Sequence, residues 1–363
     1  MLQQKWLAVV NEKAKGKKAG QEWPEILRIL IEHGVHVETQ YTQKAGDAIN
    51  LTRMGLQKGF TGIIAVGGDG TLNEAVNGFW REDRLINPEA RLTYVNLGSG
   101  GDFARMINVI DFGKETPEQT GRSTQTNRSA QPPSPAAIIA NNLLNGNLET
   151  VDIGRVTFEG ESRQSRYFVN AANVGVGAEA VRRVNKKETK PGGGRLSYML
   201  SALAAVVTFS PQPLRVVVDG ACKIDEDLYA VMVCNGQYIG AGMMIAPDAD
   251  ITDGLFDIVA IPKMPLFKLL MRFPKIYKGT HLGIQGVSLW RGTDVEITDS
   301  RPAVSHEKRP HGAASNRGFK SLVEIDGEIL GSCPVSYTLL PKGMKMWLPR
   351  CGVPLNPSDS LLK

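Results

Sequence analysis

The sequence predicts a chain of two parts, an α/β part with a doubly wound parallel sheet and a following mainly-β part of the β-sandwich type. Over residues 1–100, short apolar runs alternate with amphipathic segments that close with glycine. Beyond Leu148, apolar runs are joined by turn signals such as Asp219-Gly220. The length of 363 residues also exceeds the roughly 100 to 200 residues that one hydrophobic core organises, so two domains are expected.

The α/β part is expected to consist of successive βα units. Apolar runs with the length of a buried parallel strand are followed by segments with helical periodicity. Glycine ends these segments, and Pro24 is placed near the start of the first one, as is typical of helix boundaries. The predicted strands are Trp6–Val10, Val35–Thr39, Gly62–Val66 and Leu92–Asn96, and the predicted helices are Glu22–His33, Asp47–Lys58, Thr71–Trp80 and one that begins near Asp102.

The mainly-β part carries hairpin signals and a few helical stretches. Asp219-Gly220 between two apolar runs is a typical two-residue hairpin turn. The predicted strands are Leu214–Val218, Ala221–Ile224, Leu228–Cys234, Ser321–Ile325, Val335–Leu340 and Met344–Leu348. Helical stretches are predicted at Ala178–Lys187 and Arg195–Phe209, and a basic amphipathic segment is predicted at Pro265–Lys278.

Two polar stretches mark predicted insertions. Residues 113–134 lose the hydrophobic periodicity and fill with Thr, Ser, Gln and Pro, and residues 300–320 are also polar. Neither stretch can bury enough apolar surface to form part of a core. We therefore predict an α/β domain over residues 1–147, a β-rich domain over residues 148–330 and final strands within residues 331–350.

Composition favours a globular chain with anionic partners. The formal net charge is +5, from 42 basic and 37 acidic residues, which suits a nucleotide or an anionic membrane surface and does not indicate nucleic-acid binding. Cys222, Cys234, Cys333 and Cys351 show no metal-ligand spacing and are expected to be reduced thiols in the cytoplasm. The N-terminus lacks the pattern of a secretory signal, and the longest apolar stretch, Leu196–Phe209, is shorter than the ~20 residues of a membrane span. Any membrane contact is therefore expected to be peripheral.

A glycine-rich sequence between a predicted strand and a predicted helix is the strongest candidate for chemistry. Such a loop exposes main-chain N–H groups at a helix N-terminus, where phosphate binds. A carboxylate in the loop can act there through Mg²⁺ or by taking a proton from an acceptor hydroxyl. A plain βα turn with a capping aspartate is the alternative interpretation. The candidate nucleotide-binding residues are Gly67, Gly68, Gly70, Thr71, Asn73 and Glu74, with Asp69 as the candidate catalytic residue.

Two further segments accompany the glycine-rich sequence. Asn11-Glu12-Lys13-Ala14-Lys15-Gly16 follows the first predicted strand, and Leu97-Gly98-Ser99-Gly100-Gly101-Asp102-Phe103-Ala104-Arg105 follows the fourth. With them the sequence resembles the diacylglycerol kinase catalytic superfamily, which includes sphingosine kinases and bacterial lipid kinases, and it is similar to NAD kinases and phosphofructokinases at the glycine motif. Glu12 stands where that family usually has proline, Ser99 where it has threonine and Gly101 where it has asparagine. The resemblance implies that the α/β domain binds ATP through Asn11, the glycine motif, Gly98, Ser99, Gly100 and Asp102.

The resemblance extends into the β-rich half. Asn170–Glu179 resembles the stretch that lines the family's lipid-side cleft, with Glu179 where an acidic residue is usual. The segment Asp253–Asp257 resembles a block in which, by that resemblance, Asp253 holds a structural metal, aided by main-chain carbonyls near Asp250 and Leu255. From spacing alone, a β-turn with a solvated aspartate is about equally expected. The resemblance also implies that the final strands return to the first domain.

Asp326-Gly327-Glu328 matches the family's Asp-Gly-Glu sequence. The resemblance implies that this acid pair faces the transferred phosphate across a cleft between the domains, so Asp326 and Glu328 are candidate catalytic residues. Without the resemblance, a hairpin turn is the favoured interpretation, because Asp-Gly between apolar runs is typical of one. The expected activity is that of a Mg²⁺- and ATP-dependent kinase that phosphorylates the hydroxyl of diacylglycerol or a related lipid.

Other interpretations stay open. A kinase of a soluble acceptor such as NAD shares the glycine motif, and the departures at Glu12 and Gly101 suggest a catalytically weak lipid-binding protein. The segment Pro265–Lys278 has the composition of a helix at a membrane interface, although an ordinary surface helix is the commoner case. The expected partners are a lipid substrate at a membrane surface and, as an option, a second copy of the chain. Nucleic acid is not expected. The expected location is the cytoplasm with peripheral membrane association.

Overall fold

A computed structural model of the chain describes residues 5–14, 16, 18–107, 134–159, 165–186, 203–300 and 321–349. The predicted insertions at 113–134 and 300–320 lie outside the described residues, except for Ser134 and Ser300. Lys15 of the Asn11 segment, the end of the predicted helix Ala178–Lys187 and the first part of Arg195–Phe209 also lie outside them.

The described residues form eight labelled helices and nineteen strands. The helices are α1 (Lys18–Glu32), α2 (Asp47–Gln57), α3 (Asp69–Gly78), α4 (Asp102–Met106), α5 (Pro135–Leu144), α6 (Val176–Lys186), α7 (described over 203–208) and α8 (Leu266–Ile276). The strands up to residue 175 are β1 (Trp6–Val10), β2 (Val37–Tyr41), β3 (Gly62–Gly67), β4 (Trp80–Arg81), β5 (Arg84–Leu85), β6 (Arg91–Asn96), β7 (Asn147–Phe158), β8 (Arg166–Phe168) and β9 (Ala171–Gly175). The later strands are β10 (Gln212–Val218), β11 (Ala221–Cys234), β12 (Tyr238–Ile239), β13 (Met243–Met244), β14 (Phe256–Pro262), β15 (Ser288–Gly292), β16 (Asp294–Asp299), β17 (Leu322–Ile325), β18 (Glu328–Ser332) and β19 (Val335–Leu348).

The chain divides into two compact units. The first comprises the residues up to Thr150 together with those from Met344 onward, and the second comprises Val151–Gly343. The predicted boundary at residue 147 lies close to the first division, whereas the predicted boundary at residue 330 lies well before the second one, at Gly343. β19 contributes its first residues to the second unit and its last residues to the first.

Parallel strands form the sheet of the first unit, in the order β2-β1-β3-β6-β19. Trp6 faces a core that also contains Trp23 of α1 and Ile139 of α5. Side chains alternate along a strand, so Leu7 and Ile63 point to the other face, where they pack against Gly55 of α2. Helices therefore cover both faces of the sheet, and the predicted doubly wound parallel sheet is confirmed.

Several boundaries in the first unit differ from the prediction, and α3 spans Asp69–Gly78 where Thr71–Trp80 was predicted. α1 begins at Lys18, so Pro24 lies inside the helix and not at its start. β2 begins two residues later than predicted. The N–H of Val35 donates to the carbonyl of Leu30, so Val35 takes part in the turn that ends α1 and does not start the strand. No predicted element covers α5, although its start carries local signals: Ser134 Oγ accepts the N–H of Ala137 at 3.2 Å.

The second unit consists mainly of antiparallel strands, as predicted. Its main sheet follows the order β18-β17-β9-β11-β10-β16-β19, and β14 pairs with β11 and β15. Side chains of β11 alternate between two cores: Val231 and Val233 face other strands, whereas Met232 and Cys234 face a core that includes residues of α8. Burial of both faces explains why β11 ends in a continuous apolar run.

β19 is one long strand where two were predicted. The prediction ends the first strand before Pro341-Lys342-Gly343, which has the composition of a turn. The structure instead satisfies the N–H of Lys342 with the carboxylate of Asp152, at 2.7 Å from Oδ1. Asp152 is 0% exposed, and its Oδ2 accepts the N–H of Gly254, also at 2.7 Å. One buried carboxylate thus holds two distant segments of the second unit.

Replacing Asp152 by asparagine places an amide NH₂ group against one of these two main-chain donors. We expect Asp152→Asn to lower the free energy of unfolding of the second unit by about 2 to 3 kcal/mol, because a buried N–H loses its acceptor. Urea unfolding followed by circular dichroism measures the change. The control Asp225→Asn, at an exposed position, is expected to change stability by less than about 0.5 kcal/mol. Equal effects of the two substitutions on stability would contradict the conclusion that the Asp152 carboxylate holds both segments.

Candidate active site

The turn between β3 and α3 contains the glycine motif. β3 ends at Gly67, Gly68 is the extended N-cap residue, and α3 begins at Asp69. A side chain at Gly67 would overlap the Thr71 hydroxyl, so the tight turn requires glycine there. At Gly70 an added Cβ would meet no atom within 4 Å. The first turn of α3 therefore has open space beside it.

Asn11 joins the first loop to the glycine motif. Its main-chain N–H donates to the Val66 carbonyl at 2.9 Å, which extends the pairing of β1 with β3. Its side-chain Nδ2 donates to the hydroxyl of Thr71 at 3.3 Å. The structure thus brings together two segments that the sequence predicts to bind the nucleotide.

The loop after β6 packs directly on the glycine motif. The N–H of Leu97 donates to the Gly67 carbonyl at 2.8 Å. A Cβ at Gly98 would overlap the Cα of Gly68, so the two backbones can meet only because residue 98 is glycine. The loop is also held by Asn96, whose Oδ1 accepts the N–H of Gly98 at 3.0 Å.

Asp69 connects these two loops. Its Oδ2 accepts the N–H of Gly101 at 2.8 Å and that of Asp102 at 3.3 Å, at the start of α4. Gly101 is the N-cap of α4 with a φ of 67°, which favours glycine. A side chain at Gly101 would overlap the amide of Asn96. Glycine at position 101 therefore suits both the backbone conformation and the close approach of the Asn96 side chain.

The second carboxylate oxygen of Asp69 does not take part in these hydrogen bonds. Oδ1 is buried, and it has no hydrogen-bond partner among the described residues. Burial raises the pKa of Asp69, while the N–H groups of residues 101–103 and the charge of Arg105 act to lower it. A buried carboxylate oxygen without a partner is costly, and a cation or a hydroxyl donor at that point would remove the cost. Asp69 therefore fits both predicted roles, that of a Mg²⁺ ligand and that of a proton acceptor.

Asp102 and Ser99 have different surroundings from Asp69. Asp102 is buried, and its Oδ1 pairs with the guanidinium of Arg105 at 2.8 Å. The same Arg105 nitrogen donates to the Gly100 carbonyl at 2.8 Å, so the arginine holds the loop after β6 against the start of α4. Ser99 lies exposed at the tip of the loop. Nucleotide contacts of Ser99, Gly100 and Asp102 stay predictions.

Glu74 contacts the start of another helix, and Asn73 contacts a residue of its own helix. The two carboxylate oxygens of Glu74 accept the N–H groups of Gly46 at 2.8 Å and Ala48 at 3.0 Å, at the start of α2. Asn73 is buried, and its Oδ1 accepts a hydrogen bond from Asn77 at 3.2 Å. Glu74 therefore attaches α2 to α3, and the predicted nucleotide contacts of both residues stay predictions.

The Asp326-Gly327 turn joins β17 and β18 in the second unit, as a hairpin with a φ of 45° at Asp326. The carboxylate of Asp326 accepts the N–H of Ala171 at 2.9 Å and the N–H of Val169 at 3.2 Å. The two oxygens thus hold the turn against the first residue of β9 and the segment just before it. Glu328 is half-buried and is the first residue of β18. The hairpin interpretation describes the backbone, and a catalytic role for the acid pair stays a prediction.

Glu324 belongs to the same turn, and the sequence analysis does not single it out. It is 7% exposed and accepts hydrogen bonds from the N–H of Gly327 and from the amide of Asn173. Asn173 lies directly opposite it in the pairing of β17 with β9. The signal in the sequence is one acidic residue inside the apolar run Leu322–Ile325, where a charge needs a buried partner.

Glu179 lies in the first turn of α6, which follows β9 directly. Arg182, one turn later, contacts both carboxylate oxygens, at 2.7 Å from Nε and 2.8 Å from Nη2. The pair leaves 12% of the Glu179 side chain exposed and 43% of the Arg182 side chain. The predicted position of Glu179 on the lipid side stays a prediction.

The predicted metal residues form a turn before β14. Asp253 Oδ1 accepts the N–H of Leu255 at 3.0 Å, and its Oδ2 pairs with the guanidinium of Arg291. Asp250 Oδ1 accepts the N–H and the hydroxyl of Thr252, at 2.9 and 2.7 Å. Within the described ranges, no cluster of three or more His, Cys, Asp or Glu side chains is arranged to hold a metal. The arginine occupies the carboxylate that the resemblance assigns to a metal, and metal binding at Asp253, Asp250 and Leu255 stays a prediction.

The candidate residues fall into two groups, one in each unit. Asn11, the glycine motif and the Gly98–Asp102 loop lie in the first unit, and the structure brings them together around Asp69. The Asp326 turn and Glu179 lie in the second unit. The cleft in which the two groups are expected to meet stays a prediction.

Known proteins show similarity over nearly the whole chain. Residues 5–156 match the diacylglycerol kinase catalytic domain, and residues 170–348 match the YegS C-terminal NAD kinase beta sandwich-like domain. A diacylglycerol kinase of Mycobacterium tuberculosis is 27% identical over 323 residues, which are 89% of this chain and 88% of the relative. A diacylglycerol kinase of Bacillus subtilis is 24% identical over 327 residues, 90% of each chain. A crystal structure of a diacylglycerol kinase from Bacillus anthracis is 20% identical, with a TM-score of 0.66 over 96% of this chain and 98% of that one.

These matches identify the class. The fold is that of the diacylglycerol kinases, with a parallel α/β unit followed by an antiparallel β unit. The chain belongs to the diacylglycerol kinase catalytic-domain superfamily, and it carries the YegS-type C-terminal domain as well. The family resemblance predicted from the sequence is confirmed.

The Gly68–Gly98 contact gives a test of this geometry. We expect Gly98→Ala to lower the free energy of unfolding of the first unit by about 1 to 3 kcal/mol, because the new methyl group displaces the backbone of Gly68. Thermal and urea unfolding measure the loss. Gly70→Ala is the matched control: it adds the same methyl group where no atom lies within 4 Å. It is expected to change stability by less than about 1 kcal/mol. A similar loss in both variants would disprove the close contact.

Proposed function

We propose that this chain is a kinase that transfers the terminal phosphoryl group of ATP to the hydroxyl of diacylglycerol or a related lipid. The observation that carries the proposal is the state of Asp69: one oxygen is held by the start of α4, and the other is buried without a partner among the described residues. Membership of the superfamily and the names of the relatives support a lipid as the acceptor.

The glycine loops support a nucleotide site in the first unit. Phosphate groups bind where main-chain N–H groups are accessible and no side chain intervenes, and the N-terminus of a helix adds positive potential. The first turn of α3, with open space at Gly70, offers such a place. The amide of Asn11 and the hydroxyl of Thr71, already 3.3 Å apart, would contact the nucleotide beside it.

Asp69 is suited to hold Mg²⁺. Mg²⁺ in kinases is commonly bound by one or two carboxylates together with phosphate oxygens, and Oδ1 of Asp69 is an oxygen that still needs a partner. The bound ion would neutralise charge on the transferred phosphoryl group. The N–H groups of Gly101 and Asp102 orient the carboxylate. Burial raises the pKa of Asp69, and a cation nearby lowers it again, which favours the ionised form when the site is filled.

The transfer exchanges one phosphorus–oxygen bond for another. The lipid hydroxyl oxygen bonds to the terminal phosphorus, the bond to the bridging oxygen breaks, ADP leaves, and the hydroxyl proton moves to a carboxylate. Asp69 and Glu328 are the candidates for that carboxylate, since both oxygens of Asp326 accept main-chain N–H groups. Asp326 and Glu324 then act by holding the turn. The proposal requires this turn to face the phosphate site.

Asp69→Asn tests the central residue. We expect kcat to fall by about 10²- to 10⁴-fold, because an amide neither accepts the proton nor binds a cation strongly. The amide oxygen can still accept the N–H of Gly101, so circular dichroism should match the wild type. Transfer of label from ATP in the presence of Mg²⁺ measures the rate. Asp225→Asn, an exposed carboxylate in the second unit, is the control and should keep full activity. A loss smaller than about tenfold in Asp69→Asn would exclude Asp69 from the chemistry.

The acceptor is tested with a panel of diacylglycerol, sphingoid base, ceramide and NAD, each with labelled ATP and Mg²⁺. We expect label in the lipid extract, with diacylglycerol labelled fastest. Label on NAD alone would instead identify a kinase of a soluble acceptor. Binding of lipid without any transfer would identify a catalytically weak lipid-binding protein. Either result would overturn the proposed function.

A further inference from the structure

α8 has an apolar pair on its exposed face. One face of α8 is buried in the core of the second unit that also contains Met232 and Cys234. The buried residues of this face are Leu269, Phe273 and Ile276. Phe267 and Met271 lie one helical turn apart on the opposite side, where they are 61% and 77% exposed. Single exposed hydrophobic residues are normal on a protein surface, but two large ones side by side on the outer face of an amphipathic helix need an explanation.

Basic residues surround this pair, and acidic residues are missing from the sequence around it. Residues 258–293 contain no Asp or Glu. Lys268 and Lys275 are exposed on α8 next to the pair, and Lys278 is exposed just after it. Within the part of the chain that the structure describes, none of these three lysines forms an ion pair, whereas Lys263 pairs with Asp227 at 3.3 Å. The positive charge of this face is therefore not neutralised by its described neighbours.

We propose that the α8 basic face, made of Phe267, Met271, Lys268, Lys275 and Lys278, binds the surface of an anionic lipid bilayer. Phe267 and Met271 would enter the boundary between headgroups and acyl chains, and the lysines would contact anionic headgroups. No described helix has both the length and the apolar composition needed to span a bilayer. The inference rests on the proposed function, because a lipid acceptor is reached at a membrane surface.

Charge complementarity selects the bilayer over other occupants. A second copy of this chain would place its own positive α8 face against the first, and the two positive faces would repel each other. An acidic protein could also pair with the lysines. If such a protein were the natural partner of this face, binding of the chain to vesicles would not be expected to depend on their lipid composition. A bilayer with anionic lipid offers both a negative surface and an apolar interior within reach of one short helix.

Co-sedimentation of the full chain with vesicles, in the absence of ATP, tests the inference. One set of vesicles contains phosphatidylcholine alone, and a second contains about a third phosphatidylglycerol, so that the surface is negative. We expect binding to the anionic vesicles only, weakened by added salt. The test needs no turnover, so failure of the membrane proposal and failure of the kinase proposal give different results.

Three double variants locate the surface. Since each basic residue near an anionic surface contributes about a fivefold factor, Lys268→Glu/Lys275→Glu is expected to weaken binding more than about tenfold. Phe267→Ser/Met271→Ser removes the apolar pair and should weaken it by a similar factor. Met54→Ser/Lys58→Glu is the matched control, with binding as in the wild type; it changes an exposed methionine on α2 and the exposed lysine that follows the helix as its C-cap.

Several results would overturn the inference. Wild-type binding of the two α8 variants, or an equal loss in the α2 control, would exclude the α8 basic face. Equal binding to both vesicle types would exclude recognition of anionic lipid. A wild-type chain that is dimeric by light scattering and becomes monomeric in Phe267→Ser/Met271→Ser would assign the face to an interface between two copies.

Discussion

The first unit depends on one contact, the approach of the Gly68 backbone to the Gly98 backbone. Because Gly98 has no side chain, the loops after β3 and β6 close on each other, and the N–H groups of Gly101 and Asp102 reach the carboxylate of Asp69. That hydrogen bonding fixes one oxygen and leaves the other buried without a partner in the described chain. The geometry that supports the proposed phosphate and cation binding thus depends on the absence of a side chain at Gly98.

Several carboxylates of the chain accept main-chain N–H groups. The number of oxygens used in this way distinguishes acids with a structural role from Asp69, the candidate catalytic acid. Asp152, Glu74 and Asp326 each use both oxygens to hold N–H groups of segments far away in the sequence. A buried acceptor that is fully used stabilises its loop and has little capacity left for a ligand. Asp69 differs because only one of its oxygens is used in this way.

The two units carry different surfaces for the two substrates of the proposed reaction. The first unit has the glycine loops, and the N-terminus of α3 with open space at Gly70 suits an anionic nucleotide. The second unit has the α8 basic face, where cations and apolar side chains occur together. A lipid acceptor is poorly soluble in water, so a kinase for it gains from a surface that brings it to the bilayer. Under the proposed function, the division of the chain at Thr150 separates the unit that binds the nucleotide from the unit that contacts the lipid bilayer.

The sequence by itself determined the parallel βα order of the first unit, the hairpins of the second and the position of the glycine motif at the start of α3. These features depend on periodicity and turn residues that act over a few positions. Only the tertiary structure decided that β19 continues through Lys342, because the acceptor of its N–H is Asp152, 190 residues away. It also decided that Asp253 pairs with Arg291 while one oxygen of Asp69 has no described partner. Hydrogen-bond partners that come from distant segments leave no local pattern in a sequence, and for that reason they had to be seen in the fold.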